Sequence, residues 1–237
     1  MRNLFRSFER FGVEYLLISG QASVLYGAAT FSEDIDLWVR PTPTNIVSLG
    51  RALAACRARA YKRTPPLIVR HFRRGHGFHF TLPARPDPVY LDIMGSPPRV
   101  GSFKVSQQRA EHMKTGWGVL PVVSLRDLIA LKKTRRLYDY EVISNLVQIQ
   151  VSRCDPPPRS LLEWGFRETF RAEDRLEFAR QLGLQLTVAQ CRRHIGREMQ
   201  RHQGRDVAYW RPILRELREL RRRGQLLAQG DPLVPVG

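Results

Sequence analysis

The chain has 237 residues, long enough for one or two domains with a substantial core. Apolar residues make up 43% of it, which excludes a disordered, collagen-like or coiled-coil chain, and no apolar run approaches the length of a membrane span. Lys and Arg total 39 against 22 Asp and Glu, a formal net charge of +17 that points to polyanionic partners, unless it only reflects an Arg-rich proteome.

The excess charge is spread out. Residues 1–158 carry 23 basic and 12 acidic residues, and residues 159–237 carry 16 and 10, so neither part is a bare basic tail. Cys56, Cys154 and Cys191 are odd in number and far apart, which suits a reduced, cytoplasmic setting better than a disulfide framework. Residues 1–10 mix charge into their apolar positions, unlike a signal peptide.

In chain order, Leu4, Phe5, Phe8 and Phe11 recur at helical spacing and predict an amphipathic helix over 2–11, stopped by Gly12. The apolar run 13–18 predicts a buried strand. Ser19-Gly20 then opens a short helix ending near Gly27. Residues 35–39 alternate and predict a strand, closed by Pro41 and Pro43. Thr44 or Asn45 caps a predicted helix running to about Ala60. After Pro65-Pro66, residues 67–72, 77–82 and 89–94 predict three strands, and Pro97-Pro98 begins an irregular stretch to Gly118. Residues 119–123 predict another strand. Ser124 followed by Asp127 is a capping pattern for one long helix from Leu125 towards Val151. Pro156-Pro157-Pro158 is the best linker candidate, and residues 160–228 predict two or three basic helices with breaks near Gly183 and Gly204. The expected class is α/β (α+β): a mixed sheet flanked by helices over 1–153, then a basic helical C-terminal domain over 159–230.

Three carboxylates stand out. Asp34 and Asp36 flank Ile35 at the start of a strand and so point to the same side. Two such carboxylates repel unless a cation lies between them, and oxygen ligands at this spacing suit Mg²⁺ or Mn²⁺. A solvated strand start is the plainer alternative. Asp92 interrupts the otherwise apolar run 89–94, where an ionised group is costly unless ligated or hydrogen-bonded locally. A third carboxylate from a neighbouring strand would complete a two-metal site. Ser19-Gly20, at the end of an apolar strand and the start of a helix, is a position where backbone can approach an anion. On the predicted long helix, Lys132, Arg136 and Asp139 interrupt a core-facing apolar stripe. They form either a phosphate-binding group or a structural ion-pair cluster, the latter compatible with a helix that breaks at Thr134-Arg135. His71, His76 and His79 lack a fourth metal ligand and strong spacing, and Cys191 with His194 has no further partner. Arg221-Arg222-Arg223 is most simply a favourable C-terminal charge run, with nucleic-acid contact as the alternative.

The stretch from Tyr15 to Val39 resembles the signature of the nucleotidyltransferase superfamily: an apolar strand, a Gly-Gly or Gly-Ser turn, about a dozen residues, then Asp-x-Asp. Ser19-Gly20 takes the turn, Asp34-Ile35-Asp36 the carboxylate pair, and Asp92 the third carboxylate. The nearest likeness is to AbiEii-like minimal nucleotidyltransferases of the toxin kind, whose spacing Ala22 and Gly27 also fit, and which carry a similar Lys-x-x-x-Arg-x-x-Asp pattern matched by Lys132, Arg136 and Asp139. Three positions depart: Ser19 replaces the first Gly, Thr30 a common basic residue, and Ser32 a common Thr. The resemblance covers roughly residues 10–150. It implies transfer of a nucleoside monophosphate from an NTP to an acceptor hydroxyl with release of pyrophosphate. Asp34, Asp36 and Asp92 would hold Mg²⁺ (or Mn²⁺), with Asp92 also helping to deprotonate the acceptor. Ser19 and the Gly20 backbone would hold the β- and γ-phosphates, with Lys132, Arg136 and Asp139 completing the nucleotide site. The acceptor implied is RNA, tRNA in particular, in a toxin–antitoxin or phage-defence role with an antitoxin partner and no membrane. A catalytically inactive nucleic-acid-binding module and a protein-AMPylating enzyme are the alternatives.

Overall fold

A computed structural model describes residues 1–233. In chain order they form α1 (Arg2–Arg10), β1 (Tyr15–Ile18), α2 (Ser19–Leu25), β2 (Asp34–Val39), α3 (Pro43–Ala55), β3 (Arg59–Ala60), α4 (Val69–Arg73), β4 (Gly77–Leu82), β5 (Val89–Met94), α5 (Phe103–Gln108), β6 (Glu111–Thr115) and β7 (Gly118–Val122). Five helices follow: α6 (Leu125–Lys132), α7 (Leu137–Val151), α8 (Arg159–Glu168), α9 (Ala172–Gln181) and α10 (Val188–Arg222). Among the described residues no helix is long and apolar enough to cross a membrane.

The chain divides into two compact units. Among the described residues the first comprises 1–22, 31–124 and 211–233; the second comprises 23–30 and 125–210. This differs from a linear boundary at the Pro156-Pro157-Pro158 run: that run lies inside the second unit, which takes residues from Leu125, and the segment from Arg211 returns to the first unit.

The first unit is built on a seven-stranded mixed sheet in the order β3-β4-β5-β2-β1-β7-β6. β1 runs antiparallel to β2 and parallel to β7, and β2 runs parallel to β5. Period-two patterning sets the faces: Phe78, Phe80 and Leu82 of β4 are buried, while the residues between them are half-buried. Phe72 and Phe78 stack with centroids 3.8 Å apart. Trp38, almost fully buried, donates its indole N–H to the Gly95 carbonyl at 3.0 Å. α1 buries Leu4, Phe5 and Phe8, the apolar face expected from its spacing.

The second unit is helical. Leu128 and Ile129 of α6, Val142, Ile143, Leu146 and Val147 of α7, and Phe178 and Ala179 of α9 are buried at helical spacing. Gly165 of α8 permits close approach, since a Cβ there would lie 3.1 Å from the Phe178 ring and 3.2 Å from Val151. Ala172, Cys191 and Ile195 form a small cluster with Phe170, Leu186 and Met199 packed on it.

Several predicted elements are corrected. Residues 67–72 form no strand: the Pro pair ends extended pairing, and α4 takes Val69–Arg73 with His71 and Phe72 buried. The helix expected to reach Ala60 ends at Ala55, because residues 59–60 pair with β4. Its cap is Thr42, with Pro43 in the first turn, while Asn45 is buried and bonds Glu14 and Arg40 across the loop. The stretch from Pro97 to Gly118 contains α5 and the edge strand β6. The long helix from Leu125 is two helices, with the break at residues 133–136. Gly183 does interrupt the C-terminal helices, but α10 runs without a break through Gly204 and Pro212.

Candidate active site

β2 and β5 are parallel neighbours, and their register puts Asp36 beside Asp92 and Asp34 beside Tyr90. Residues paired across strands share a face, so all three carboxylates lie on one side of two strands about 4.8 Å apart. Their intervening neighbours Ile35, Leu37, Leu91 and Ile93 are buried on the opposite face. The carboxylates themselves are half-buried. The apolar face that fixes the register thereby fixes the carboxylates as well.

On the other side of β5, β4 places His79 opposite Asp92. His79 Nδ1 lies 2.8 Å from Asp92 Oδ1, and the Tyr61 hydroxyl donates to the same oxygen at 3.0 Å. The Tyr61 ring meets the His79 and Tyr90 rings edge-on at 6.0 and 5.0 Å, and the Lys62 ammonium sits 4.7 Å from its centroid.

The electrostatics divide the carboxylates into two kinds. Burial pushes the Asp34 carboxyl above its usual range, and the charge of Asp92 adds to that, against the opposing pull of Lys62 and His79. Burial works in the same direction on Asp92, but the hydrogen bond and charge of His79, then the Tyr61 hydrogen bond, outweigh it and hold Asp92 below its usual range. Burial and then the neighbouring Asp92 push the Tyr61 phenol up, so it remains a donor. The donor set, carboxylate oxygens crowded on one face, fits a hard divalent cation such as Mg²⁺ or Mn²⁺. Both of these hydrogen bonds to Asp92 land on Oδ1. Among the described residues no group of three or more His, Cys, Asp or Glu is placed so that it could hold a metal ion. The three carboxylates are neighbours on a face rather than a closed cage.

β1 ends at Ile18, which pairs with Asp36, so the Ser19-Gly20 turn emerges at the carboxylate end of β2. Ser19 has φ +59°, left-handed backbone that glycine adopts more readily. Gly20 is required by packing: a Cβ there would lie 2.2 Å from Ser32 Oγ. Gln21 Nε2 donates to the Ser32 carbonyl at 2.8 Å, and Ser32 Oγ donates to the Asp34 carbonyl at 3.2 Å. The turn therefore braces the entry to β2.

Lys132, Arg136 and Asp139 are brought together within the second unit, at the break between α6 and α7 rather than along one helix. Lys132 Nζ donates to Asp139 Oδ1 at 3.0 Å with both side chains buried, while Arg136 Nε and Thr134 Oγ1 donate to Oδ2 at 3.1 and 2.6 Å. Asp139 thus anchors the first turn of α7 and its three donors gather on it.

His79, Tyr61 and Lys62 were not among the predicted site residues. A signal for His79 existed: pairing the ends of the predicted strands, Leu82 with Val89, counts back to His79 opposite Asp92. Tyr61 had none, since its hydrogen bond follows from the short β3 pairing with β4. His71 and His76 lie elsewhere: the His76 side chain is fully buried with Nε2 3.0 Å from Glu216 Oε2. Burial, opposed by that hydrogen bond, lowers its pKa. Cys191 is buried in the apolar cluster of the second unit, and His194 is exposed. No family model matches the chain, and no curated protein matches it either.

Proposed function

We propose that the chain is a metal-dependent nucleotidyltransferase with a nucleotidyltransferase-like sheet, moving a nucleoside monophosphate from an NTP to an acceptor hydroxyl. RNA, tRNA in particular, is the acceptor favoured by the +17 charge. The observation that carries this is Asp36 beside Asp92 on adjacent parallel strands, with Asp34 on the same face. Asp34, Asp36 and Asp92 would hold the Mg²⁺ or Mn²⁺. When bound, the cation supplies neutralisation of phosphate charge and lowers the cost of an acceptor alkoxide.

The chain's own residues do the rest. His79 and Tyr61 fix the Asp92 carboxylate by its Oδ1 and keep it ionised. An acceptor hydroxyl that donates to Oδ2 is then aimed along a fixed direction. A bond forms from the acceptor oxygen to the α-phosphorus as the bond from that phosphorus to the β-phosphate oxygen breaks. Pyrophosphate leaves, and the hydroxyl proton leaves by way of the carboxylate to water. The Ser19-Gly20 backbone, at the same end of the sheet, is the proposed seat of the β- and γ-phosphates. Catalysis of this kind is positioning and charge stabilisation.

The test is incubation of the chain with Mg²⁺ and each α-labelled NTP, with and without total tRNA, beside Asp36→Ala. Label on tRNA with the wild type only supports the proposal and identifies the nucleotide. Label on protein points to AMPylation instead. Absence of any transfer, with RNA binding unchanged in Asp36→Ala, favours a non-catalytic nucleic-acid-binding module. A toxin role adds one expectation: expression arrests growth, and Asp36→Ala relieves the arrest.

A further inference from the structure

The C-terminal segment pairs along the outer edge of β3. The Leu227 N–H donates to the Thr64 carbonyl at 2.9 Å, and the Gly230 N–H to the Ala60 carbonyl at 2.8 Å. With the end of α10 this segment encloses a cavity of about 890 Å³, within the range of ligand sites. Tyr61, Lys62, Arg63 and His79 line it from the sheet, and Arg218 and Arg221 from α10, over a floor of leucines. Tyr61 and His79 are the two groups that hold Asp92, so the cavity opens directly behind the third carboxylate.

Four exposed cations line this cavity and no carboxylate does. Among the described residues none of the four makes an ion pair; Lys62 lies on the Tyr61 ring, and Arg218 Nε donates to the Leu214 carbonyl at 3.2 Å. A second cavity nearby, about 1040 Å³, also carries arginines, but Glu216 and Glu219 pair with several of them. The second cavity's arginines are thus partly compensated by two glutamates, whereas no carboxylate lines the first. Tyr90, an exposed aromatic on the carboxylate face, meets the Tyr61 ring at the cavity wall. Cations beside an exposed aromatic suit a single nucleic-acid strand, whose phosphates need charge and whose bases stack. The sheet order separates this cavity from the Ser19-Gly20 turn: β1 carries the turn, β4 carries His79, and β2 and β5 with the carboxylates lie between them.

We propose that this cavity seats the phosphate backbone of a single-stranded polynucleotide, the acceptor strand, with its terminal hydroxyl at Asp92 and the NTP on the opposite side of the carboxylates. This rests on the nucleotidyltransferase assignment for the word acceptor, and on the cavity itself for the binding. Four cations are poorly matched to an uncharged sugar or a protein hydroxyl.

The test uses the full chain and a twelve-nucleotide fluorescent RNA, read by anisotropy across a salt series, with DNA of the same sequence as a second arm. Arg218→Glu with Arg221→Glu is compared with Arg6→Glu with Arg51→Glu, an equal charge change at exposed positions that line neither cavity. Lys62→Gln with Arg63→Gln is the milder cavity variant should the charge reversal unfold. The cavity variants are expected to bind at least about tenfold more weakly, and loss of two phosphate contacts lowers the log–log salt slope by about 1.4. The control pair is expected to stay within about threefold, since screening weakens distant charges. Equal loss in both pairs, or loss of NTP binding instead of RNA binding, overturns the proposal. RNA binding stronger than DNA binding assigns the strand as RNA; equal binding assigns recognition to phosphate alone. Asp36→Ala separates the two proposals: absence of transfer in every sample removes the enzymatic role, while the anisotropy result decides the cavity by itself.

Discussion

Gly20→Ala tests whether the turn before the carboxylates is set by packing. A Cβ at this position would lie 2.2 Å from Ser32 Oγ and 2.9 Å from Ser32 Cβ. Rotation of the hydroxyl relieves the first clash but not the second, because Cβ is fixed by the backbone. Residue 32 must therefore shift, and with it the hydrogen bonds from Gln21 to its carbonyl and from its hydroxyl to the Asp34 carbonyl. Overpacking costs about 1–3 kcal/mol and each weakened hydrogen bond up to about 1 kcal/mol, so a loss of about 2–4 kcal/mol is expected. For a chain of this length that lowers Tm by roughly 5–15 °C, read by circular dichroism with urea titration as a check. Adding Ser32→Gly removes both clashing atoms and should restore most of the loss. A Gly20→Ala variant within about 0.5 kcal/mol of wild type, or a double variant no better than the single one, would refute the reasoning.

Mg²⁺ should raise the unfolding midpoint of the wild type, by about 2.7 kcal/mol at a hundredfold excess over its dissociation constant. Asp36→Asn and Asp92→Asn should abolish that response, and an equal response in all three proteins would mean non-specific binding. Because folding raises the pKa of Asp34, its ionisation destabilises the fold as pH rises through the folded value; Asp34→Asn should therefore be more stable than wild type at neutral pH without Mg²⁺, with the gain gone below the unfolded pKa. Lys132→Met leaves Asp139 buried with only part of its donor set and should cost about 3 kcal/mol in urea unfolding; a loss below about 1 kcal/mol would show the pair to be dispensable. His202 is pushed down to about 4 by burial and then by the Lys133 and Arg205 charges. The stability it contributes is complete above the unfolded pKa, near 6.5, and is lost as pH falls towards 4, so His202→Gln should flatten the stability profile across that interval.

The carboxylates were legible in the sequence because a two-residue period against apolar neighbours fixes a face without reference to the rest of the chain. Asp34, Asp36 and Asp92 each announce themselves by interrupting such a pattern. Their adjacency required the parallel pairing of β2 with β5, a long-range event that composition does not encode. The α4 segment misled because a short apolar run has no decisive period, and burial of Phe72 against Phe78 settled it as a helix. The grouping of Lys132, Arg136 and Asp139 was anticipated on one helix face, whereas Asp139 gathers them across a break. At Gly204, local helix propensity pointed to a break that α10 does not take: buried Cys191, Ile195, Asp206 and Ile213 keep a helical period on both sides of it. The pairing of residues 227–232 with β3 joins positions far apart in sequence, which no local pattern marks.

The first unit is discontinuous, and this fixes the order in which the protein can be finished during synthesis. All residues of the second unit exist once Trp210 has been made, yet the sheet still lacks the chain that covers its β3 edge. Residues 211–233 take a further 1–5 s or so at ordinary translation rates. For that interval the nascent sheet carries an open edge, the feature that invites pairing with another chain. A ribosome that stalls or terminates after Trp210 releases the helical unit with all its residues, but neither the wall that carries Arg218 and Arg221 nor the segment that pairs along the β3 edge.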